Sequence, residues 1–289
     1  MRHTMILLTA LLLATSAAAD DGKPPSPGLS FFANAGAFWA SNTTANFYSG
    51  RPSNENTILR VLKSDTYGEQ IWQRLVNQGS ISPSDLGGWQ QFDVAEYPEM
   101  YYRISYQIGL GMRYDYASGF GWLLRFDLAR LNAIGAFNLN TGNNTPGADQ
   151  FIRCGMLGKE ERINIDFAIA KTAKLNDMLD IELNLGTSLI NTKVQDNLME
   201  IGGATWSILD VWNGQSPDYM GSYEYINQGG IGYGVFMSVL VGYSVPEVGA
   251  IKAGYTCYQA KTVLKGYTAW GWQHMLGIRF EMNNFSFIK

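Results

Sequence analysis

Residues 100–114 read MYYRISYQIGLGMRY, and the fold turns on how they alternate. The even positions are Met100, Tyr102, Ile104, Tyr106, Ile108, Leu110, Met112 and Tyr114, all apolar or aromatic. The odd positions are Tyr101, Arg103, Ser105, Gln107, Gly109, Gly111 and Arg113. Successive side chains of a strand point to opposite faces, so this stretch has one apolar and one polar side. At ~3.3 Å per residue it is long enough to cross a bilayer at a tilt.

The same pattern recurs over 29–39, 120–128, 162–170, 179–189, 231–243, 251–258 and 272–282. The first of these is the least regular, because Phe32 and Phe38 fall on its polar side. That makes eight strands, and bacterial outer-membrane barrels have an even number. Short connections at 115–119, 172–177 and 244–249 alternate with longer ones at 42–98, 139–160 and 190–230, the last connection (265–271) being short. Tight turns at one end and long loops at the other are the plan of a transmembrane barrel.

Composition narrows the choice further. The chain has 289 residues, 46% hydrophobic, 13% aromatic and 16% charged, with 32 Gly and a net charge of −4. Soluble chains are about a quarter charged, so this one is poor in charge. Past the N-terminus no apolar run reaches ~18 residues, which excludes a helical membrane protein. The slightly acidic balance offers no footprint for nucleic acid. Residues 1–19, MRHTMILLTALLLATSAAA, combine Arg2, a short apolar core and small residues Ala17 and Ala19. They are expected to be a secretory signal peptide. A periplasmic segment over 20–28, a barrel over 29–282 and a tail over 283–289 follow from that division. Cys154 and Cys257 are too few for a disulfide scaffold, and their spacing leaves pairing open. No Cys/His spacing or phosphate-binding loop is present, so neither a metal nor a cofactor is expected.

A lipocalin-like barrel also alternates, with its apolar face inward. Aromatics favour the opposite sense here: Tyr114, Phe120, Trp122, Tyr243 and Phe280 gather at the turn end, and Trp39, Tyr102, Tyr233, Trp270 and Trp272 at the loop end. Two such belts match the two membrane interfaces. The expected fold is all-β, an eight-stranded antiparallel up-and-down transmembrane barrel with a helical extracellular insert, in the cell outer membrane. The stretch PEMYYRISYQIGLGMRYDY (98–116) and the terminal HMLGIRFEM (274–282) resemble small outer-membrane β-barrel proteins of the Bacteroidota type. The resemblance implies fold and location and carries no activity.

If the apolar face meets lipid, the polar face fills the lumen. Arg103, Arg113, Arg125, Arg162, Lys252 and Arg279 then oppose Asp127, Asp166, Asp180, Glu182 and Glu281. Buried charges are tolerable only when paired. A near-balanced set in so narrow a barrel predicts a lumen closed by ion pairs. An ion-selective pore would carry one dominant sign. No catalytic residue is expected. His274 is the one histidine beyond the leader, on the apolar face and without a serine at 272 or 276, so no hydrolytic triad forms around it.

Two long connections stand out. In 42–98, Ile58, Leu59 and Leu62 share one helical face and Ile71, Trp72, Leu75 and Val76 another. Asn54 is the expected cap of the first helix and Gly79 the end of the second. This hairpin either packs on the barrel rim as a lid or offers Ile58, Leu62, Trp72 and Leu75 to a partner. In 190–230, Trp206, Trp212 and Tyr219 are candidate contacts, or the packing of a compact loop. The expected role is structural or accessory, through these loops, with outer-membrane lipid and another outer-membrane or surface protein as partners. A narrow channel is the alternative, and a lipid-modifying barrel enzyme a third.

Overall fold

A computed structural model describes residues 28–82, 87–142, 150–209, 228–245 and 249–282. The leader, the 20–27 segment, the C-terminal tail, Trp212 and Tyr219 lie outside the described residues. The chain forms β1 (Gly28–Trp39), α1 (Asn42–Ala45), a 3-10 turn (Asn46–Ser49), α2 (Ile58–Leu62), α3 (Tyr67–Asn77) and a second 3-10 turn (Gly88–Gln91). There follow β2 (Asp93–Glu96), β3 (Tyr101–Tyr102), β4 (Ser105–Asp115), β5 (Phe120–Asn140), β6 (Phe151–Lys174) and β7 (Leu179–Ile201). The last elements are β8 (Ala204–Ser207), β9 (Gly230–Val245), β10 (Gly249–Leu264) and β11 (Tyr267–Met282).

Eight strands close a ring in the order β1-β4-β5-β6-β7-β9-β10-β11, each antiparallel to the next. β11 returns to β1 from Phe31 opposite Met282 to Trp39 opposite His274. Closure leaves no edge strand in the wall, as hydrocarbon requires of any backbone crossing it. The outer surface carries Leu110 at 67% exposure, Ile231 at 70% and many other large apolar side chains. A soluble monomer seldom exposes apolar patches beyond a few hundred Å². The polar face is inside: Arg113, Arg125, Asp166, Glu182, Lys252 and Arg279 are all buried. The fold is therefore an eight-stranded antiparallel transmembrane β-barrel.

Its strands differ greatly in length. β5, β6 and β7 have 21, 24 and 23 residues, whereas β1 has 12 and β4 has 11. A membrane crossing needs about 9–11 residues, so roughly half of β6 stands beyond the bilayer at the loop end. Along β5 the two faces exchange character at that point. Trp122, Leu124, Phe126 and Leu128 face outward at the turn side, with Arg125 and Asp127 buried. From Leu131 onward, Leu131, Ala133, Phe137 and Leu139 are buried, and Arg130 and Asn132 face out. Where water replaces lipid, the apolar face must turn inward onto its own core.

That core belongs to a cap. The insert helices bury Ile58, Val61, Leu62, Ile71 and Leu75 among Leu139, Met156, Val194, Met199 and Ile208. α3 ends at Asn77 with Gln78 as its C-cap, and Gly79 takes a left-handed φ of 73° that lets the chain reverse. Asn54 does not cap α2. Thr57 occupies that position, and the Asn54 amide instead donates to the carbonyls of Asn46 and Phe47. β2 and β3 extend one side of the projecting β5, and β8 pairs with β7 after a turn through Gly202 and Gly203. Residues 151–160 and 190–201, expected as loop, are thus strand.

Candidate functional site: the packed lumen and its sealed mouth

The barrel interior is built from the inward positions of every strand, and its charged side chains form three levels. Nearest the turn end, Glu182 from β7 is fully buried and meets three cations. Lys252 Nζ lies 2.6 Å from its Oε2, Arg279 Nη1 lies 2.6 Å from its Oε1, and Arg113 also donates to it. Asn184 Nδ2 donates to Oε1 at 2.7 Å. The cations are shared outward: Arg113 to Asp115 at 2.6 Å, Lys252 and Arg279 to Glu281 at 2.8 and 3.2 Å, and Lys252 to Asp180 at 3.9 Å. Phe32 enters this level despite its apolar character. Its ring lies under the Arg279 guanidinium, 4.5 Å from the Arg279 Cζ to the ring centroid. A Cβ on Gly111 would strike that ring, so glycine is what gives Phe32 its space.

At mid-height, Arg125 binds Asp166 at 2.5 Å and Asp127 at 2.8 Å. Tyr258 donates to Asp166 at 3.0 Å, and Asn34 Nδ2 to Asp127 at 2.8 Å. Phe236 lies beneath Arg125, its centroid 5.5 Å from the Arg125 Cζ.

The third level is the mouth, where the insert descends into the barrel. Glu160, fully buried, accepts from Arg162 Nε at 2.6 Å, from the Tyr48 hydroxyl at 2.6 Å and from the Tyr102 hydroxyl at 2.9 Å. Arg162 also donates to Thr44 Oγ1 at 3.0 Å and to Gln273 at 3.2 Å. Tyr48 reaches this depth because Gly158 offers no Cβ; one there would collide with its ring. Burial and then the Glu160 carboxylate push the Tyr48 phenol well above its ordinary pKa, so it remains a donor. Ties run from the insert to the rest of the rim. Tyr267 of β11 donates to the Thr43 carbonyl at 2.6 Å, Arg74 to the Gly202 carbonyl at 2.5 Å, and Asn56 to Gln228 at 2.7 Å. Lys265 pairs with Glu55 at 2.8 Å.

Ten of the eleven charges expected in the lumen are there: Arg113, Arg125, Asp127, Arg162, Asp166, Asp180, Glu182, Lys252, Arg279 and Glu281. Arg103 is not; it is exposed on the outer wall. The cause is one extra residue. Tyr102 opposes Ala133 and Gln107 opposes Ala129, so five steps on one strand face four on the other. Such a bulge reverses the side that every residue before it faces. Tyr102 moves inward, out of the expected aromatic belt, and Arg103 moves outward. Glu160 joins the lumen instead: it lies in phase with inward Arg162, Asn164 and Asp166, two residues before the strand expected from 162, and extending that alternation is the signal that finds it. His274 faces outward, stacked on Tyr255 with a 2.6 Å contact to its hydroxyl. Cys154 is buried and Cys257 half-buried, and both are free thiols. Of the candidate partner contacts, Ile58, Leu62 and Leu75 are buried in the cap core. Trp72 and Trp206 pack against that core, Trp206 edge-on to Tyr67. A protein could not reach the first three without opening the cap. Among the described residues no group of His, Cys, Asp and Glu is arranged to hold a metal.

Together these features define a class: a single transmembrane barrel with ion-paired side chains through its lumen and an inserted cap across one mouth. No family model matches the chain, and no curated protein matches it. Among solved structures it is similar to Neisserial surface protein A, at 11% identity over 89% of this chain and 99% of that one, with a TM-score of 0.38. It is also similar to Ail, the attachment invasion locus protein of Yersinia pestis, solved with the heparin analogue sucrose octasulfate. That match is 10% identical, covers 89% of this chain and 99% of that one, and has a TM-score of 0.33.

Proposed function

We propose that the protein is an exported outer-membrane barrel of the Bacteroidota type that conducts nothing. Its work is structural or accessory, performed by the cap it holds at the cell surface. The leader-like residues 1–19, the apolar belt and the loop-end cap support that location. The observation that carries the closed lumen is the Glu160 knot, which joins wall strand β6 to the insert through Tyr48 and to the lumen through Arg162. Opening a path there means separating a buried charge pair, which costs several kcal/mol. The cap fits the accessory role because it is anchored on several sides of the mouth and so presents one fixed surface.

Planar-bilayer recordings on the purified full chain test the closed lumen. Silence at moderate voltage is expected, and sustained open-channel current would move the assignment to a narrow channel. Affinity isolation from detergent-solubilised outer membranes tests the accessory role. Co-recovery of a stoichiometric membrane protein supports it, and recovery of the barrel alone removes it.

A further inference from the structure

Three layers of different chemistry succeed one another up the outer wall of β5 and β6. The lowest is the apolar belt, where Ile104 and Tyr106 of the neighbouring wall are 65% and 57% exposed. Next come outward cations. Arg130 stands in register with Glu161, and Asn132 with Lys159. Arg103 projects beside them, its backbone N–H donating to the Asn132 carbonyl at 3.0 Å. The side chains of Arg130 and Lys159 keep 62% and 43% of their surface in solvent, each with one carboxylate, Glu161 at 2.8 Å and Asp196 at 2.9 Å. Arg103 has no carboxylate partner among the described residues.

A hollow of about 810 Å³ lies at this height, lined by Ile104 and Tyr106 below and by Arg130, Lys159, Glu160 and Glu161 above. Higher still lies a groove of about 620 Å³. Tyr97 and Tyr101 line it beside Glu96, Asn138 and Arg153.

We propose that this face binds one phosphorylated glycolipid of the surrounding outer leaflet. An acyl chain lies along Ile104 and Tyr106, a phosphate meets Arg103, Arg130 and Lys159, and a sugar occupies the Tyr97–Tyr101 groove. The inference rests on the outer-membrane location proposed above. Glu161 and Asp196 offset Arg130 and Lys159, and Glu160 is paired with Arg162, so Arg103 leaves this layer net positive; that excess selects the phosphate, whose oxygens a guanidinium matches two at a time. A phenol ring offers an apolar face to a pyranose ring, and the neighbouring polar groups meet its hydroxyls. A phosphatidylglycerol would satisfy the cations and leave the upper groove empty. The order of the layers is the order of such a lipid read outward from the membrane.

The test is a titration of the full chain folded in maltoside micelles, followed by native mass spectrometry. The probes are bis-phosphorylated lipid A, its phosphate-free form and phosphatidylglycerol. Bis-phosphorylated lipid A is expected to bind about tenfold or more tighter than either of the others. The triple variant R103Q/R130Q/K159Q should lose about tenfold or more of that affinity, and Tyr101→Ala should weaken lipid A while leaving phosphatidylglycerol unchanged. Lys171→Gln, a cation at the turn end, should change nothing. All these positions are on the surface, and heat-dependent gel mobility confirms that each variant is folded. Equal binding of lipid A and phosphatidylglycerol, or an unaffected triple variant, overturns the site wherever the protein resides. Recovery of the native protein outside the outer-membrane fraction overturns the location whatever the titration gives.

Discussion

Replacing Glu182 with Gln is the sharpest test of the lumen. The carboxylate is fully buried and serves Arg113, Lys252 and Arg279 together. Removing one partner from a buried ion pair costs about 3–5 kcal/mol, because the remaining charge is left without compensation. Two considerations place the loss at the lower end of that range. Each cation keeps another carboxylate, Asp115 for Arg113 and Glu281 for Lys252 and Arg279. The level also holds the acids Asp115, Asp180, Glu182 and Glu281 against three cations, so losing one acid leaves it neutral. We expect about 3 kcal/mol, or roughly two powers of ten in the unfolding equilibrium constant. Urea unfolding in lipid vesicles, followed by tryptophan emission, measures it. A double-mutant cycle with Lys252→Met should return a coupling of about 1–3 kcal/mol, since the two groups touch. A Glu182→Gln loss below about 1 kcal/mol, with no coupling, would refute the central position given to this carboxylate.

Three more outcomes follow from the geometry. Tyr48→Phe removes one hydrogen bond to buried Glu160 and should cost about 1.5–3 kcal/mol; an unchanged unfolding midpoint would show that the hydroxyl is dispensable. Leu185→Arg places a charge at mid-height on the lipid face, where Leu185 is exposed, and should cost about 2–4 kcal/mol in vesicles. A neutral result would mean that this face does not meet hydrocarbon. Leu75→Ala opens a cavity in the cap worth about 2–5 kcal/mol. Hydrogen exchange should then quicken over 58–77 with the amides of β9 and β10 unaltered, and equal quickening of both would show cap and barrel to be one cooperative unit.

Most of the barrel was legible because lipid on one side and charge on the other write period two into the chain. The strand over 231–243 and the inward Arg125, Asp166 and Glu182 follow from that alone. Legibility stopped where the solvent changed. Beyond Leu128 the outer face meets water and the inner face meets the cap, so β5 and β6 exchange their polar sides and their pattern looks like loop. Glu160 stands just inside that junction, in phase with Arg162, Asn164 and Asp166, and an end to the expected strand at 162 leaves it out. Arg103 was misplaced for another reason. Residues 100–114 alternate without a break, yet the backbone inserts an extra residue between Tyr102 and Gln107, and a single bulge leaves no mark in composition. Phe32 and Phe38 were visible as irregularities. Only the space above Gly111 explains why the lumen takes Phe32. The apolar stripes of the insert were plain, but amphipathicity does not say which body they will cover, and here it is the barrel rim.

The ring closes between the first and last strands, and that sets a clock on assembly. The insert follows β1 and is made early, but the Tyr267 hydroxyl that holds Thr43 and the Gln273 side chain that meets Arg162 both arrive on β11, made last. Pairing of β1 with β11 spans almost the whole chain, the kind of long-range contact that is slow to form. Until it forms, Phe47 and Tyr48 lack part of the wall that buries them. The sealed mouth is therefore a late event in biogenesis, and it reports that the last strand has found the first.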